Sequence, residues 1–425
     1  MNRKFIFLLG VIYLLILFAI LAQSASLALF SLPLLTYLGL GWWMTPDHPK
    51  IKAVRHAFPT RTTAGSPIEV LVDVENFGAA TLDLQVADPC LPNMRLLSGG
   101  VEKWVVLPSG GSATLRYTFT AERGSFTWQS VHIVVSDPLD LFPQTIQILD
   151  PIEVLVLPRR RRLRTFQLRT RRTLPTSGPV PSRRSGIGID FWGVREYQPG
   201  DPMRSIDWRK TAHQPGHFYT KEFEREQIAD IGLVLDARLR TELDIQGASL
   251  FEYSTTVTAA LAETFSLQGN RIGLLVFGDR ILRLYPGYGK YQLNRIMTML
   301  SRASVGTSSS IDTLRYIPVR LFPSHSTLIL VSPLDLFDYP AYARLKAAGY
   351  QVILISPDPV DFEFKHLPAG PINRLAFRAA RIEREVLLRR LRRAGVGVID
   401  WQVDQPMANT IRTALQKVTQ GVERK

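Results

Sequence analysis

A single cysteine in 425 residues, Cys90, excludes an internal disulfide, and nothing in the chain signals an oxidising compartment. Acids are scarce too: 37 Asp and Glu stand against 51 Lys and Arg, and the formal charge of +14 points to anionic partners, phospholipid headgroups or nucleic acid. No Gly-x-Ser-x-Gly elbow is present, which removes the usual α/β-hydrolase nucleophile. Gly287-Tyr288-Gly289-Lys290 lacks the glycine five positions before Gly289 that a phosphate-binding loop requires. His213 and His217 have zinc-like spacing, but Pro215-Gly216 between them breaks the helix that would put both on one face. These gaps lead to the expectation of no cofactor, no metal and no enzyme.

Uncharged apolar length, by contrast, is plentiful at the front. Phe5 to Leu21 and Leu27 to Met44 are runs of about 17 residues each, just enough for bilayer-crossing helices, and they read as a hairpin. Arg3 and Lys4 precede it and Lys50, Lys52 and Arg55 follow it, while the connection Ala22 to Ser26 carries no positive residue. Both ends are therefore expected in the cytoplasm. Trp42 and Trp43 suit the interface on the exit side. A signal peptide cut near Ala22 to Ser26 is the rival reading, against which the second apolar run argues.

Hydrophobic residues make up 46% of the chain, so the portion beyond residue 48 has enough apolar surface for real cores. Residues 49–158 alternate apolar and polar positions in short runs such as Ile68 to Val74, Thr81 to Val86, Val101 to Leu107, Ala113 to Phe119 and Val131 to Val135. That rhythm predicts an antiparallel β-sandwich of roughly seven strands, close to an immunoglobulin-like module. Asp137-Pro138 and Asp140 read as turn formers. Residues 159–187 form a basic linker holding Arg159, Arg160, Arg161, Arg162, Arg164, Arg169, Arg171 and Arg172. It is a solvated arm or a contact to anionic lipid; nucleic acid is disfavoured because Phe166 is its only ring.

Beyond residue 227 the apolar runs become continuous: Ile228 to Leu235, Arg271 to Phe277, Thr327 to Val331, Gln351 to Ser356 and Val396 to Trp401. Helical stretches separate them, near Ser249 to Leu267, Gln292 to Ala303, Tyr339 to Ala348, Leu375 to Arg393 and Met407 to Val418. Buried strands alternating with amphipathic helices predict a doubly wound α/β domain over 227–425, with Ile281 to Leu284 as a hairpin partner of Arg271 to Phe277. Ligands in such sheets bind at the carboxyl ends of the strands, which here present Asp236, Asp279, Ser332, Asp335 and Asp400.

Between linker and sheet, residues 188–226 mix charged and aromatic side chains without helical or strand period, which reads as a shaped loop around the turn Pro199-Gly200-Asp201-Pro202. Its candidate clasp and docking residues are Asp190, Trp192, Arg195, Glu196, Tyr197, Gly200, Asp201, Arg204, Asp207, Trp208 and Arg209. Guanidinium–carboxylate pairing fixes such a loop, with Arg204 and Asp207 as the expected buried pair. Trp192, Trp208 and Arg204 are residue types favoured at binding hot spots.

The run Gly188 to Phe191, Arg195-Glu196-Tyr197, Pro199-Gly200-Asp201, Arg204 and Ile206-Asp207-Trp208 resembles the signature of the bacterial membrane-associated family called domain of unknown function 58. Glu222 to Glu226, Glu122 to Phe126, Asp137 to Phe142 and Ile152 to Pro158 resemble its flanking pieces. The resemblance implies a two-pass protein of the bacterial inner membrane with its soluble domains in the cytoplasm, the last of them von Willebrand factor A-like. It also implies a MoxR-type AAA+ ATPase as partner, in assembling or activating other complexes, so that the chain acts as a scaffold or adaptor. Competing classes are a nucleic-acid or anionic-lipid binding membrane protein using the arginine-rich linker, and a hydrolase using the acids of the signature segment. Where that fold carries a metal-binding Asp-x-Ser-x-Ser, this chain has Asp236-Ala237-Arg238-Leu239-Arg240, with Thr307 and Asp335 as the remaining matches. A guanidinium cannot ligate Mg²⁺. The site is expected to be lost, with Arg238 or Arg240 neutralising Asp236 and Asp335.

Overall fold

The structure is a computed structural model. It describes residues 3–45, 49–159, 180–213, 216–227, 229–245, 247–307, 314, 317–368 and 370–405, of which 180–192, 223–227, 240 and 319 are described in their backbone only. The chain divides into two compact units, Met1–Leu157 and Pro158–Lys425.

In the first unit, α1 (Arg3–Leu21), the short α2 (Ala25–Leu29) and α3 (Ser31–Met44) form an apolar helix pair. Two spans, Arg3–Leu21 and Ala25–Met44, are long and apolar enough to cross a membrane. Lys4 pairs with Asp140 at 2.7 Å, Phe5 packs 5.2 Å from Phe142, and Gly41 approaches Leu141 so closely that a Cβ would lie 2.8 Å from its Cδ1. The first turn of α1 and the last of α3 thus meet one turn, held by Asp137, whose carboxylate accepts the backbone N–H of Leu139, Leu141 and Phe142. Asp137 is a turn former, as its sequence context indicates.

The β-rich part contains β1 (Ile51–Phe58), β2 (Arg61–Thr63), β3 (Pro67–Asn76), β4 (Leu82–Ala87), β5 (Met94–Gly99), β6 (Glu102–Leu107), β7 (Ser112–Ala121), β8 (Gly124–Ser136) and β9 (Gln144–Leu157). Two sheets, ordered β1-β3-β7-β5 and β2-β9-β8-β4-β6, share one core in which Val70, Val72 and Phe119 meet Leu84, Trp128 and Ile133. Strict alternation builds that core: β3 buries Ile68, Val70, Val72 and Val74 and turns the residues between them outward. Among the described residues nine strands form where roughly seven are expected, and β1, β2, β5 and β9 lie outside the alternating runs named above; β1 is the informative one. Its Arg55 points inward, so the residue expected to flank the membrane helices is a buried member of the sandwich.

The second unit opens with a long antiparallel ribbon, β10 (Val180–Glu196) and β11 (Tyr219–Gln227), with the one-turn helix pair of Met203–Ser205 and α4 (Trp208–His213) between them. Residues 180–187 of the expected linker and 188–196 of the expected loop are therefore strand. The register of the ribbon shifts three times between Ser182 and Gly193, which breaks the period of two that a regular strand shows in sequence. Residues 160–179 of the linker lie outside the described residues.

The α/β part comes next: β12 (Asp230–Asp236), β13 (Asp244–Ile245), β14 (Ala248–Ser249), α5 (Leu250–Leu267), β15 (Arg271–Phe277), β16 (Leu282–Gly287), α6 (Gly289–Arg302), β17 (Thr327–Val331), α7 (Tyr339–Ala347), β18 (Gln351–Pro357), α8 (Pro359–Phe364), α9 (Pro371–Arg393) and β19 (Gly397–Trp401). Its sheet runs β16-β15-β12-β17-β18-β19, parallel except for β16. Chain order reverses between β12 and β17, the doubly wound arrangement. Leu328, Leu330 and Val352 pack against Tyr342 and Leu345 of α7 and Leu388 and Leu391 of α9. The expected helix Met407 to Val418 lies outside the described residues.

Candidate functional site

Where the ribbon ends, its two strands deliver Arg195, Thr220 and Glu222 to one place. Arg195 donates from both terminal nitrogens to Asp201 at 2.8 and 2.7 Å, from Nε to Glu222 at 2.9 Å, and to the Glu196 carbonyl at 2.8 Å. Asp201 also accepts the Gln198 N–H at 2.9 Å, and Gly200 beside it adopts φ +110°, a turn conformation for which glycine is suited. Hydrogen bonding to Asp201, ahead of that to Glu222, raises the Arg195 pKa, and Arg195 with the Gln198 N–H lowers that of Asp201. The pair is water-facing, so it fixes geometry more than it stabilises the fold.

The buried pair expected between Arg204 and Asp207 does not form. Arg204 is exposed, and Asp207 caps α4 by accepting the N–H of Arg209 and Lys210 at 3.1 and 3.2 Å. Its own N–H donates to the Tyr219 carbonyl, and the Lys210 ammonium sits 4.6 Å from the Tyr219 ring. Glu196 pairs with His217 at 3.1 Å, and Tyr197 packs edge-on against Phe218. The side chains of Asp190 and Trp192 are not among those described. What the tip turns outward is in part apolar: Met203, Trp208 and Phe218 are 77, 63 and 55% exposed, and the exposed cations Arg204, Arg209 and Lys210 adjoin Met203 and Trp208 in the chain. Met203 and Phe218 give no signal in sequence, because their exposure depends on ribbon register.

At the carboxyl ends of the sheet strands, the acids are engaged. Arg238 is buried and donates from Nε and one terminal nitrogen to Asp236, at 2.8 and 2.7 Å, and from both terminal nitrogens to Asp338, at 2.9 and 2.8 Å. Burial opposes this charge, but Asp236 and Asp338 outweigh it and hold the Arg238 pKa above its ordinary value. Ser332 donates to Asp236 at 2.7 Å, and the N–H of Leu314 and of Asp335 donate to Asp338. The second carboxylate is Asp338, correcting the expectation of Asp335, which instead caps a short 3₁₀ turn by accepting the Phe337 N–H. Thr307 donates its N–H to Asp279 at 2.7 Å, and the Arg240 side chain lies outside those described.

Further along the edge, Arg384 donates to Asp400 at 2.7 Å and to the carbonyls of Pro333 and Ser356, and Arg381 pairs with Asp358. Between Asp236 and Asp338 a divalent cation does not fit: both oxygens of Asp236 already accept from Arg238 and Ser332, and the Arg238 guanidinium fills the gap between the two carboxylates. Of the arginine-rich linker, Arg159 is described and exposed, whereas Arg160, Arg161, Arg162, Arg164, Arg169, Arg171 and Arg172 lie outside the described residues.

The span carrying the ribbon tip and most of the sheet matches a known family. It is DUF58. The family model, described as "Protein of unknown function DUF58", matches residues 193–369, from within β10 to just before α9. Among relatives, the uncharacterized protein YeaD of Bacillus subtilis (strain 168) is 27% identical over 235 residues, 53% of this chain and 56% of YeaD. The chain thus spans about half the length of that relative. The uncharacterized protein Rv1480 of Mycobacterium tuberculosis (strain ATCC 25618 / H37Rv) is 24% identical over 257 residues, 53% of this chain and 79% of its own. Among solved structures, the CARDB domain of the PF1109 protein from Pyrococcus furiosus aligns with 26% of this chain and 96% of its own at 15% identity and a TM-score of 0.19.

Proposed function

We propose that the chain is a protein-interaction scaffold of the bacterial inner membrane, held by its two N-terminal helices with the soluble parts in the cytoplasm. In this reading the β-rich part is an immunoglobulin-like sandwich and the α/β part a von Willebrand factor A-like domain without a cation. The ribbon tip is the docking surface. The observation that carries the reading is the exposure of Met203, Trp208 and Phe218 beside Arg204, Arg209 and Lys210, on a turn that Arg195 and Asp201 hold in one shape. Exposed aromatic and arginine side chains on a pre-shaped turn are what an interface hot spot requires. Asp201 and Asp207, the acids a hydrolase would use, serve the clasp and the α4 cap, which supports binding over catalysis. The family resemblance names a MoxR-type AAA+ ATPase as the partner.

The test is capture of a purified MoxR-type ATPase by the full chain in detergent. Trp208→Ala and Met203→Ala should each weaken capture by roughly tenfold or more, as hot-spot truncations do, with the thermal midpoint unchanged. Arg195→Ala should weaken it through loss of turn geometry. Capture indifferent to all three variants would remove the tip from the interface.

Topology has its own test. With Arg55 inside the sandwich, the charges flanking the helices are Arg3, Lys4, Lys50 and Lys52, still all at the two ends of the hairpin. A cytoplasm-dependent reporter fused after Lys425 should be active, and a periplasm-dependent one silent. The reverse pattern would overturn the orientation.

A further inference from the structure

Helix α9 buries only part of its surface. Arg384, Leu387, Leu388 and Leu391 are its buried residues, all in the second half. On the other side, Ile372, Leu375, Ile382 and Val386 are 80, 70, 65 and 44% exposed. Together with the exposed Ala379, they adopt a spacing of three, four, three and four. That is a heptad seam, with Ile372, Ala379 and Val386 at one position of the repeat and Leu375 and Ile382 at the other. At about 100° per residue the seam is centred on the order of 150° away from the buried residues, so the sheet cannot cover it. Its rise is about 21 Å, four turns of continuous apolar surface.

We infer that this seam pairs with the same seam of a second copy, as a short parallel two-stranded coiled coil. Ile372 and Val386 at the first seam position with Leu375 at the second follow the pattern that favours two parallel strands, whereas Ala379 and Ile382 depart from it. The flanks agree with that orientation: Arg378 faces Glu383 of the second copy and Glu385 faces its Arg390, each twice by symmetry. An antiparallel pair would match only Arg378 with Glu385. An anionic bilayer is the rival occupant, since the exposed part of the helix carries Arg374, Arg378 and Arg390 beside Glu383, and vesicle binding separates it from a second copy. Five seam positions make a small interface, so association is concentration-dependent, not obligate.

The test uses the full chain in detergent micelles, with sedimentation as the readout. Arg378→Glu and Glu383→Arg should each weaken self-association by roughly tenfold, since each brings like charges together across the interface twice, and the double variant should return to within about threefold of the parent. In a Cys90→Ser background, Leu375→Cys should cross-link to its own copy on oxidation, because a parallel seam sets the two residues opposite each other. An antiparallel pair would hold them about 16 Å apart along the axis, beyond disulfide reach. All these positions are exposed, so circular dichroism should be unchanged. Self-association indifferent to both reversals, a double variant that stays weak, or no cross-link would each overturn the inference. So would Glu383→Arg alone adding binding to anionic vesicles while the oligomeric state stays fixed.

Discussion

Arg238→Ala is expected to destabilise the α/β part by about 3 to 5 kcal/mol, because it strands two buried carboxylates whose shared counter-charge it was. Asp236, Asp338 and Arg238 are all nearly inaccessible to solvent, and four of the hydrogen bonds among them measure 2.7 to 2.9 Å. In a domain of this size the change moves the thermal midpoint on the order of 10 °C. Arg238→Ala combined with Asp338→Asn should recover about 1 to 3 kcal/mol, since one stranded charge is gone and Asp236 keeps the Ser332 hydroxyl. Mg²⁺ and a chelator should leave the midpoint of the parent unchanged, as the arginine fills the gap a cation would need. A midpoint that the Arg238→Ala change does not move would show that water reaches the trio. A parent that Mg²⁺ stabilises in a saturable manner would show that the guanidinium yields to the ion.

Arginine two residues after Asp236 is legible in the sequence; its partner is not. Asp335 and Asp338 stand three residues apart, and the 3₁₀ turn between them decides which turns inward. The same distinction holds elsewhere. β15 and β17 are bounded in sequence at the residues where they begin and end, because an uninterrupted apolar run between polar or glycine-rich neighbours admits one reading. The six-residue α8, capped by Asp358, is too short to show a period. Ribbon residues 188–196 pair with β11 through register shifts, so a regular alternation does not mark them. Arg195 is legible as a clasp residue, but its pairing with Asp201 and Glu222 in preference to the Arg204–Asp207 pair is set by the β10–β11 register. Side chains alone do not encode that choice.

Asp88→Ala should cost the sandwich about 3 to 5 kcal/mol by leaving a buried guanidinium unpaired. Arg55 comes from β1 in one sheet and Asp88 lies just past β4 in the other, and neither side chain reaches solvent. Arg55 donates to Asp88 at 3.0 and 2.6 Å and to the carbonyls of Ser130 and Asp150, with the Trp128 ring 5.8 Å away, so one cation ties both sheets together. The Tyr117 hydroxyl donates to Asp88 at 2.7 Å. Tyr117→Phe, which removes one hydrogen bond to a charged group, should cost about 1.5 to 3 kcal/mol. Tyr117→Phe should also differ from the parent in alkali. Burial first, and then the Asp88 charge, pushes the Tyr117 pKa well above its ordinary value of 10.0. A raised folded-state pKa contributes stability that is complete below the unfolded value and lost as pH rises above it. The parent should therefore lose stability from about pH 10 upward, and Tyr117→Phe should lose less over the same range. Urea midpoints across that range are the measurement, and parallel curves for parent and Tyr117→Phe would mean the hydroxyl is not held by Asp88. Arg55, read in the sequence as a membrane-flanking charge, thus closes the sandwich that follows the apolar helices in the chain.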